Sequence, residues 1–585
     1  MVKKKKPSLL LPVGAAVLLV GGGGAAYWVL THRGAGSGEL PVGADVIPQD
    51  ALMTISVSTD PGQWQKLRAF GTPQSQAALD KNLAQLRDRL LTANGYDYEK
   101  DIQPWIGKEV TVAFLPPPTT PPNATPNTPL VPQQQATVMV LPIQNGLQAK
   151  QILEQPRPQA AGKLVDRTYK GFQIKESQGA VPQNYSATVL DGKFLVVTTD
   201  PKATDRAIDT YKKDSAALSA TPGYAQALGK IQADQPFGKL FVNLPAAAAA
   251  ATANSGQSVP PQNLAQVQQM QGLAATATLQ SEGIQFKSIS WLKPDSQRKY
   301  EVRNTAKIMP DRLPADTLIM ASGGNLKQFW QDYNQGAAAN PISPVNPEWL
   351  RNGVKSTVGM DLDQDFLPWM DGEFSLALVA APEGSPPSMP FSFVFLVQSN
   401  DRRAAEKALK QLDDAMANKY RFKIEESKIG DQNVVNWSLP TGGTSIVTHG
   451  WLDDNVAFLT LLAPIANTML PKPTASLADS DAFKAGVPAE PSPNNGHFFA
   501  NISLATAKKL PLLQLPPGNR ELVAAVRSIG VTAAISDERS TRYDVFVLLQ
   551  KAGQPAPLPS PTLPPATSSG DNPALSIPSV PSPSP

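Results

Sequence analysis

Six acids in two matched sets are the residues of this chain best placed to do chemistry. Asp97, Asp101 and Glu109 surround Trp105, and Asp361, Asp365 and Glu373 surround Trp369, within the related segments Gly95 to Val110 and Gly359 to Phe374. Carboxylates so grouped offer hard oxygen ligands for Ca²⁺, or an acid and base pair for hydrolysis. The segment nevertheless lacks the alternating acids and central Gly of an EF-hand loop. In the structural alternative, Asp97 and Asp361 cap a short helical turn. Asp101 and Asp365 then begin the next turn before Pro104 and Pro368, and each Trp is buried beneath. We adopt this alternative: the eight residues are a fold-determining motif, and no catalytic, cofactor-binding or metal-ligating residue is assigned.

Composition narrows the remaining chemistry. With no cysteine there are no disulfides, thiolate metal sites or thiol nucleophiles. Of the three histidines, His32 flanks an apolar stretch, while His449 and His497 read as surface or partly buried side chains. No His-Glu-x-x-His, Gly-x-Ser-x-Gly or Walker loop occurs. A Ser/Lys or carboxylate pair needs only proximity in space, so an envelope hydrolase using two acids stands as an alternative to a non-catalytic protein. Net charge is +3, without a basic run beyond the N-terminus, which argues against nucleic acid as a partner.

The elements that position these residues also recur. Gly, both Asp, Pro-Trp and Glu return in register after roughly 260 residues, far beyond a solenoid period, which implies two copies of a whole domain. Each copy opens on a Pro-x-Asp turn (Pro48, Asp50; Pro314, Asp316) running into a strand, followed by a core Trp, Trp64 or Trp330, on a short helix. Leu79, Leu83, Leu86 and Leu90 keep helical spacing between Ser75 and Asn94. Strands are expected at Val110 to Leu115 and Phe374 to Val379, and again at Thr137 to Leu141 and Ser392 to Leu396. Asp191-Gly192 and Asp453-Asp454 mark hairpins, and Thr276 to Trp291 and Thr532 to Leu549 close each copy with another. The fold class is α+β with two tandem domains and largely antiparallel sheets. The domains span 46–295 and 312–551, with a Pro-rich loop at 116–132 in the first and a disordered Pro/Ser-rich tail at 552–585.

Ahead of them, Lys3 to Lys6 precede an apolar run from Leu9 to Leu30, about 33 Å long as a helix and enough for a hydrocarbon core of about 30 Å. Residues 1–8 are therefore a cytoplasmic basic segment, 9–30 a single transmembrane helix and 31–45 a stalk. The lysines keep the N-terminus cytoplasmic and place the bulk in a periplasm or lumen. A signal peptide cleaved near Ala25-Ala26 is the alternative, and it exports the same domains.

At the Pro-x-Asp opening and the Gly-x-Asp…Asp-x-x-Pro-Trp…Glu segment, the chain resembles an uncharacterised family of membrane-anchored cyanobacterial proteins catalogued as a domain of unknown function. The resemblance spans roughly Val46 to Lys551 and implies a periplasmic or thylakoid-lumen location, but no catalytic residue. The expectation is a membrane-anchored extracytoplasmic binding or scaffolding protein. Its partners are the membrane, through Leu9 to Leu30, and an envelope lipid, polymer or membrane-protein complex. A lipid-binding carrier is a further alternative.

Overall fold

The computed structural model describes residues 39–92, 95–116, 136–149, 163–178, 185–255, 267–337, 347–386, 388–508 and 523–561. The segment Leu9 to Leu30, the preceding lysines and most of the Pro-rich loop and C-terminal tail lie outside these. Among the described residues no helix is long and apolar enough to cross a membrane.

Among the described residues, runs of alternating side chains make twenty strands. The first half contributes β1 (Met53–Ser58), β2 (Glu109–Phe114), β3 (Thr137–Pro142), β4 (Lys163–Tyr169), β5 (Phe172–Gln178), β6 (Ser186–Leu190), β7 (Phe194–Thr198), β8 (Gly238–Val242), β9 (Met270–Leu279) and β10 (Gly283–Leu292). The second half contributes β11 (Thr317–Gly323), β12 (Phe374–Ala380), β13 (Phe391–Gln398), β14 (Lys423–Ile429), β15 (Gln432–Ser438), β16 (Val447–Trp451), β17 (Val456–Leu462), β18 (Gly496–Asn501), β19 (Val526–Asp537) and β20 (Ser540–Leu549).

All pair antiparallel in one open sheet, in the order β4-β5-β6-β7-β3-β2-β1-β8-β9-β10-β20-β19-β18-β11-β12-β13-β17-β16-β15-β14. Adding ten to each first-half strand number gives the second half in mirror order. The mixed helix and antiparallel-sheet class agrees with the sequence expectation, but the halves do not carry separate sheets. They share one, joined where β10 pairs with β20 from Gly283↔Leu548 to Trp291↔Ser540. The reason is physical: each half ends on a hairpin whose outer strand has a row of unpaired amides and carbonyls, and each supplies the other's partner.

Apolar side chains cover both faces of the sheet. On one face Val138, Val140, Val196, Phe241, Ile289 and Trp291 pack against Ala203, Ala207 and Ile208 of the helix Pro201–Tyr211 and Tyr224, Ala227 and Leu228 of the helix Tyr224–Lys230. On the other, Leu67 and Phe70 cover Leu279, Ile284 and Phe286 of the first half together with Val547 and Leu549 of the second, so one core spans the β10–β20 seam. Trp64 is half-buried at this core, with its Nε1 donating to the Ser58 carbonyl at 2.9 Å. Trp330 is buried and donates to Asp363 at 3.0 Å.

The helix expected from Ser75 runs Pro73–Leu90, because Thr72 and Ser75 cap each other: the Ser75 amide donates to Thr72 Oγ1 at 3.2 Å and the Thr72 amide to Ser75 Oγ at 2.9 Å. Its leucine stripe is not uniformly interior, since Leu86 is exposed. The Asp191-Gly192 hairpin forms with both residues at positive φ. Two hairpins absent from the sequence reading, β4–β5 and β14–β15, form the sheet's outer edges. Their charged strands hide the apolar alternation, and Lys170-Gly171, again with positive φ at both positions, is the turn that marks the first.

Gly530 of β19 lies against Gly486 so closely that an added Cβ would collide with the Gly486 carbonyl. Gly530→Ala should therefore destabilise the protein by about 1–3 kcal/mol, seen as a lowered urea midpoint with an unchanged slope.

Candidate functional site

The two repeated acidic segments fold into the same local object. After Asp97 the chain makes one wide π-helical turn, Tyr98–Ile102, closed by the Gln103 amide donating to the Tyr98 carbonyl at 2.8 Å. Asp97 accepts from the Lys100 amide at 3.0 Å, Asp101 Oδ2 accepts from the Asp97 amide at 2.8 Å, and Trp105 Nε1 donates to the Asp101 carbonyl at 2.6 Å. In the second segment Asp361 accepts from the Asp363 and Gln364 amides at 3.0 and 3.2 Å. Asp365 accepts from the Asp361 amide at 2.7 Å and Trp369 donates to the Asp365 carbonyl at 2.9 Å. Both indoles are buried, so these acids direct their lone pairs at backbone amides around a core ring. Among the described residues no group of three or more His, Asp or Glu side chains is placed to hold a metal ion.

The third acid of each set leaves this turn and enters the interior. Glu109 starts β2 and Glu373 directly precedes β12, and both are buried. Glu373 accepts from the Ile308 amide at 3.0 Å and the Met309 amide at 3.1 Å. Glu109 accepts from the Val42 amide at 3.4 Å. Val42 and Ile308 stand at the same distance before Pro48 and Pro314, so each glutamate fastens the segment that opens its own half. Glu109 has a second partner, Lys239 of β8 at 3.4 Å, with side chains only 1% and 2% exposed. Burial, the largest influence, raises the Glu109 pKa above its ordinary value despite the lowering effect of Lys239.

Lys239 belongs to a line of polar side chains that the sequence reading missed. Direct cross-strand partners run Thr111–Ser56–Lys239–Thr276–Lys287–Asp544–Thr532–His497. The His497 amide donates to Ser322 Oγ at 3.0 Å, and Ser322 faces Ser375. Directly opposed residues point to the same face, so one continuous polar row crosses ten strands. Ser56 and Thr111 hydroxyls bond at 2.9 Å, and Arg542 holds Asp544 by two bonds of 2.7 Å. His497 Nδ1 lies 3.1 Å from Thr532 Oγ1, and its pKa is lowered by burial. The available signal was Lys239 and His497, each heading a matched apolar strand where an apolar residue would be expected.

His449 is fully buried, contrary to the expectation of a surface or partly buried side chain. Its Nε2 lies 2.8 Å from Asp413 Oδ1, which also accepts from Trp437 Nε1 at 2.7 Å. The aspartate comes from the helix Arg402–Tyr420, so the set ties that helix to β15 and β16.

Asp101→Ala and Asp365→Ala each remove one amide acceptor, and should each cost about 0.5–2 kcal/mol by chemical denaturation. Lys239→Met leaves the Glu109 carboxyl buried without its cationic partner and should cost about 3–5 kcal/mol at neutral pH, whereas adding Glu109→Gln to it should recover most of the loss. Because the folded pKa of Glu109 is raised, its contribution is complete below the ordinary value of 4.5 and is lost as pH rises through the folded value. The stability of the native chain relative to Glu109→Gln/Lys239→Met should therefore fall across that window in denaturation curves taken at stepped pH.

A family model described as "Protein of unknown function (DUF3352)" matches residues 12–549. No curated protein matches the chain. Among solved structures, crystal forms III, I and IV of TP0453 are similar at 10%, 10% and 11% identity. Each covers 44% of this chain and 80–81% of its own, with TM-scores of 0.24, 0.25 and 0.23.

Proposed function

The chain belongs to a family of unknown function over nearly its whole length, and from that premise we propose a membrane-anchored extracytoplasmic binding or scaffolding protein that is not an enzyme. It is built from two tandem copies of one α+β unit. The mirrored strand order and the matched Asp, Trp and Glu contacts of the two halves support the duplication. The apolar run at Leu9 to Leu30 supports the anchor and the export of the remainder.

One observation carries the binding reading. On three neighbouring strands of the second half, Leu376 of β12, Phe393 of β13 and Leu461 of β17 are 52%, 49% and 38% exposed. Phe393 and Leu461 are direct cross-strand partners, and half-buried Leu378 opposes Phe393 from β12. Apolar side chains clustered on a sheet face gain about 25 cal/mol for each Å² removed from water, which makes the band a docking surface for an apolar or amphipathic partner. Such partners are the envelope lipids and membrane proteins that a tethered body meets.

The test is to isolate the anchored protein from native membranes and identify bound lipid and protein by mass spectrometry. The Leu376→Asp/Phe393→Asp chain should fold with stability within about 0.5 kcal/mol per site, because both positions are exposed, and should lose the captured partner at least tenfold. Equal capture by both chains would remove the band from the reading. Capture of nothing by the native chain would end the binding reading itself.

A further inference from the structure

The centre of the seam holds a charged pair with a geometrical peculiarity. Between the terminal pairs Gly283↔Leu548 and Trp291↔Ser540, the middle partners of β10 and β20 are Lys287 and Asp544. If the two halves are copies, as proposed above and as this inference requires, these two are also each other's equivalents. Trp291 faces Ser540 as Gly283 faces Leu548, so the register maps onto itself when the halves are exchanged. A residue on a twofold axis meets its own image. Were the residue the same in both halves and ionised, like charges would face each other across the strands, which is destabilising.

The chain carries opposite charges at this one position. Asp544 is fully buried and gripped at both oxygens by Arg542, and Lys287 Nζ donates to the Gln232 carbonyl at 2.8 Å. The position equivalent to Arg542 is Gln285, so the supporting cation is also confined to the second half. Thr276 and Thr532, the neighbours of the pair on either side, are the same in both halves. The charge difference between the halves therefore falls on the axial pair and on Arg542 beside it.

We propose that Lys287 and Asp544 form the specificity element of the seam. They favour pairing of a first-half edge with a second-half edge, and they oppose pairing of β10 with β10, or β20 with β20, from a second copy of this chain.

The experiment uses the full chain. Asp544→Asn alone should lower the thermal midpoint, because Arg542 loses its carboxylate. In a Lys287→Asp background the same change should raise the midpoint, because it removes an opposed like charge. An equal lowering in both backgrounds would overturn the proposal. On refolding from denaturant at high protein concentration, Lys287→Met should give several-fold more dimer than the native chain, since β10 edges no longer repel. An unchanged dimer fraction would overturn the selection of partners.

A separate variant isolates the duplication reading. The native chain has no cysteine, so Lys287→Cys/Asp544→Cys reports register without interference. Antiparallel partners lie about 4.5–5.5 Å apart at Cα, inside the disulfide range of about 4.4–6.8 Å. A disulfide with additive charge variants would overturn only the charge proposal. Failure of the disulfide to form would remove the axial register and, with it, the symmetry on which the duplication reading rests.

Discussion

The pairing of β10 with β20 is the constraint on which the rest depends. Every backbone amide and carbonyl removed from water needs a partner, and an outer hairpin strand offers a whole row of them. Joining the two rows satisfies both at once, and the surrounding interactions build on that line. Leu67 and Phe70 complete a core with residues of both halves, the Gly71 amide donates to the Gln550 carbonyl, and the Ala552 amide returns a bond to Ala69. The last strand thus leads into a segment that ties back to the first helices and joins the two halves through a shared core.

Within that body, polar groups in the interior act on the fold itself. Asp101, Asp365 and Glu373 all accept from backbone amides, which is the inexpensive way to retain a carboxylate away from water. The first half departs from this economy by adding Lys239 to Glu109, and the second replaces that lysine with His497. The same strand position therefore carries a charged pair in one half and a hydroxyl-bonded imidazole in the other. Matching strand positions in the two halves thus differ in electrostatics.

What was legible in the sequence was local. Asp97, Asp101 and Trp105 interact within a few residues, so their spacing carried the turn, and Asp191-Gly192 announced its hairpin through backbone preference alone. Distant partnerships carried no such mark. Lys239 meets Glu109 across 130 positions, and His449 meets Asp413 only because a helix lies over β15 and β16. The shared sheet was hidden for a related reason: hydrophobic alternation indicates that a strand exists and which face is buried, but it says nothing about what lies beyond an edge. The charged edge hairpins escaped because the charges of β4 and β14 mask the few apolar residues, such as Ile174 and Val434, that their partner strands bury.

Those edge hairpins set the size of the object. β4 and β14, the two ends of the sheet, carry side chains such as Asp166 and Arg167 in one and Lys423, Glu425, Glu426 and Lys428 in the other. Several of these charges sit in ion pairs or stand in solvent at the rim. Charge along a free edge discourages the addition of another strand. Each half therefore has one edge that accepts a partner and one that refuses it, and a sheet with that polarity stops growing after a single union. The rims turn a surface capable of templating a fibre into a closed count of two.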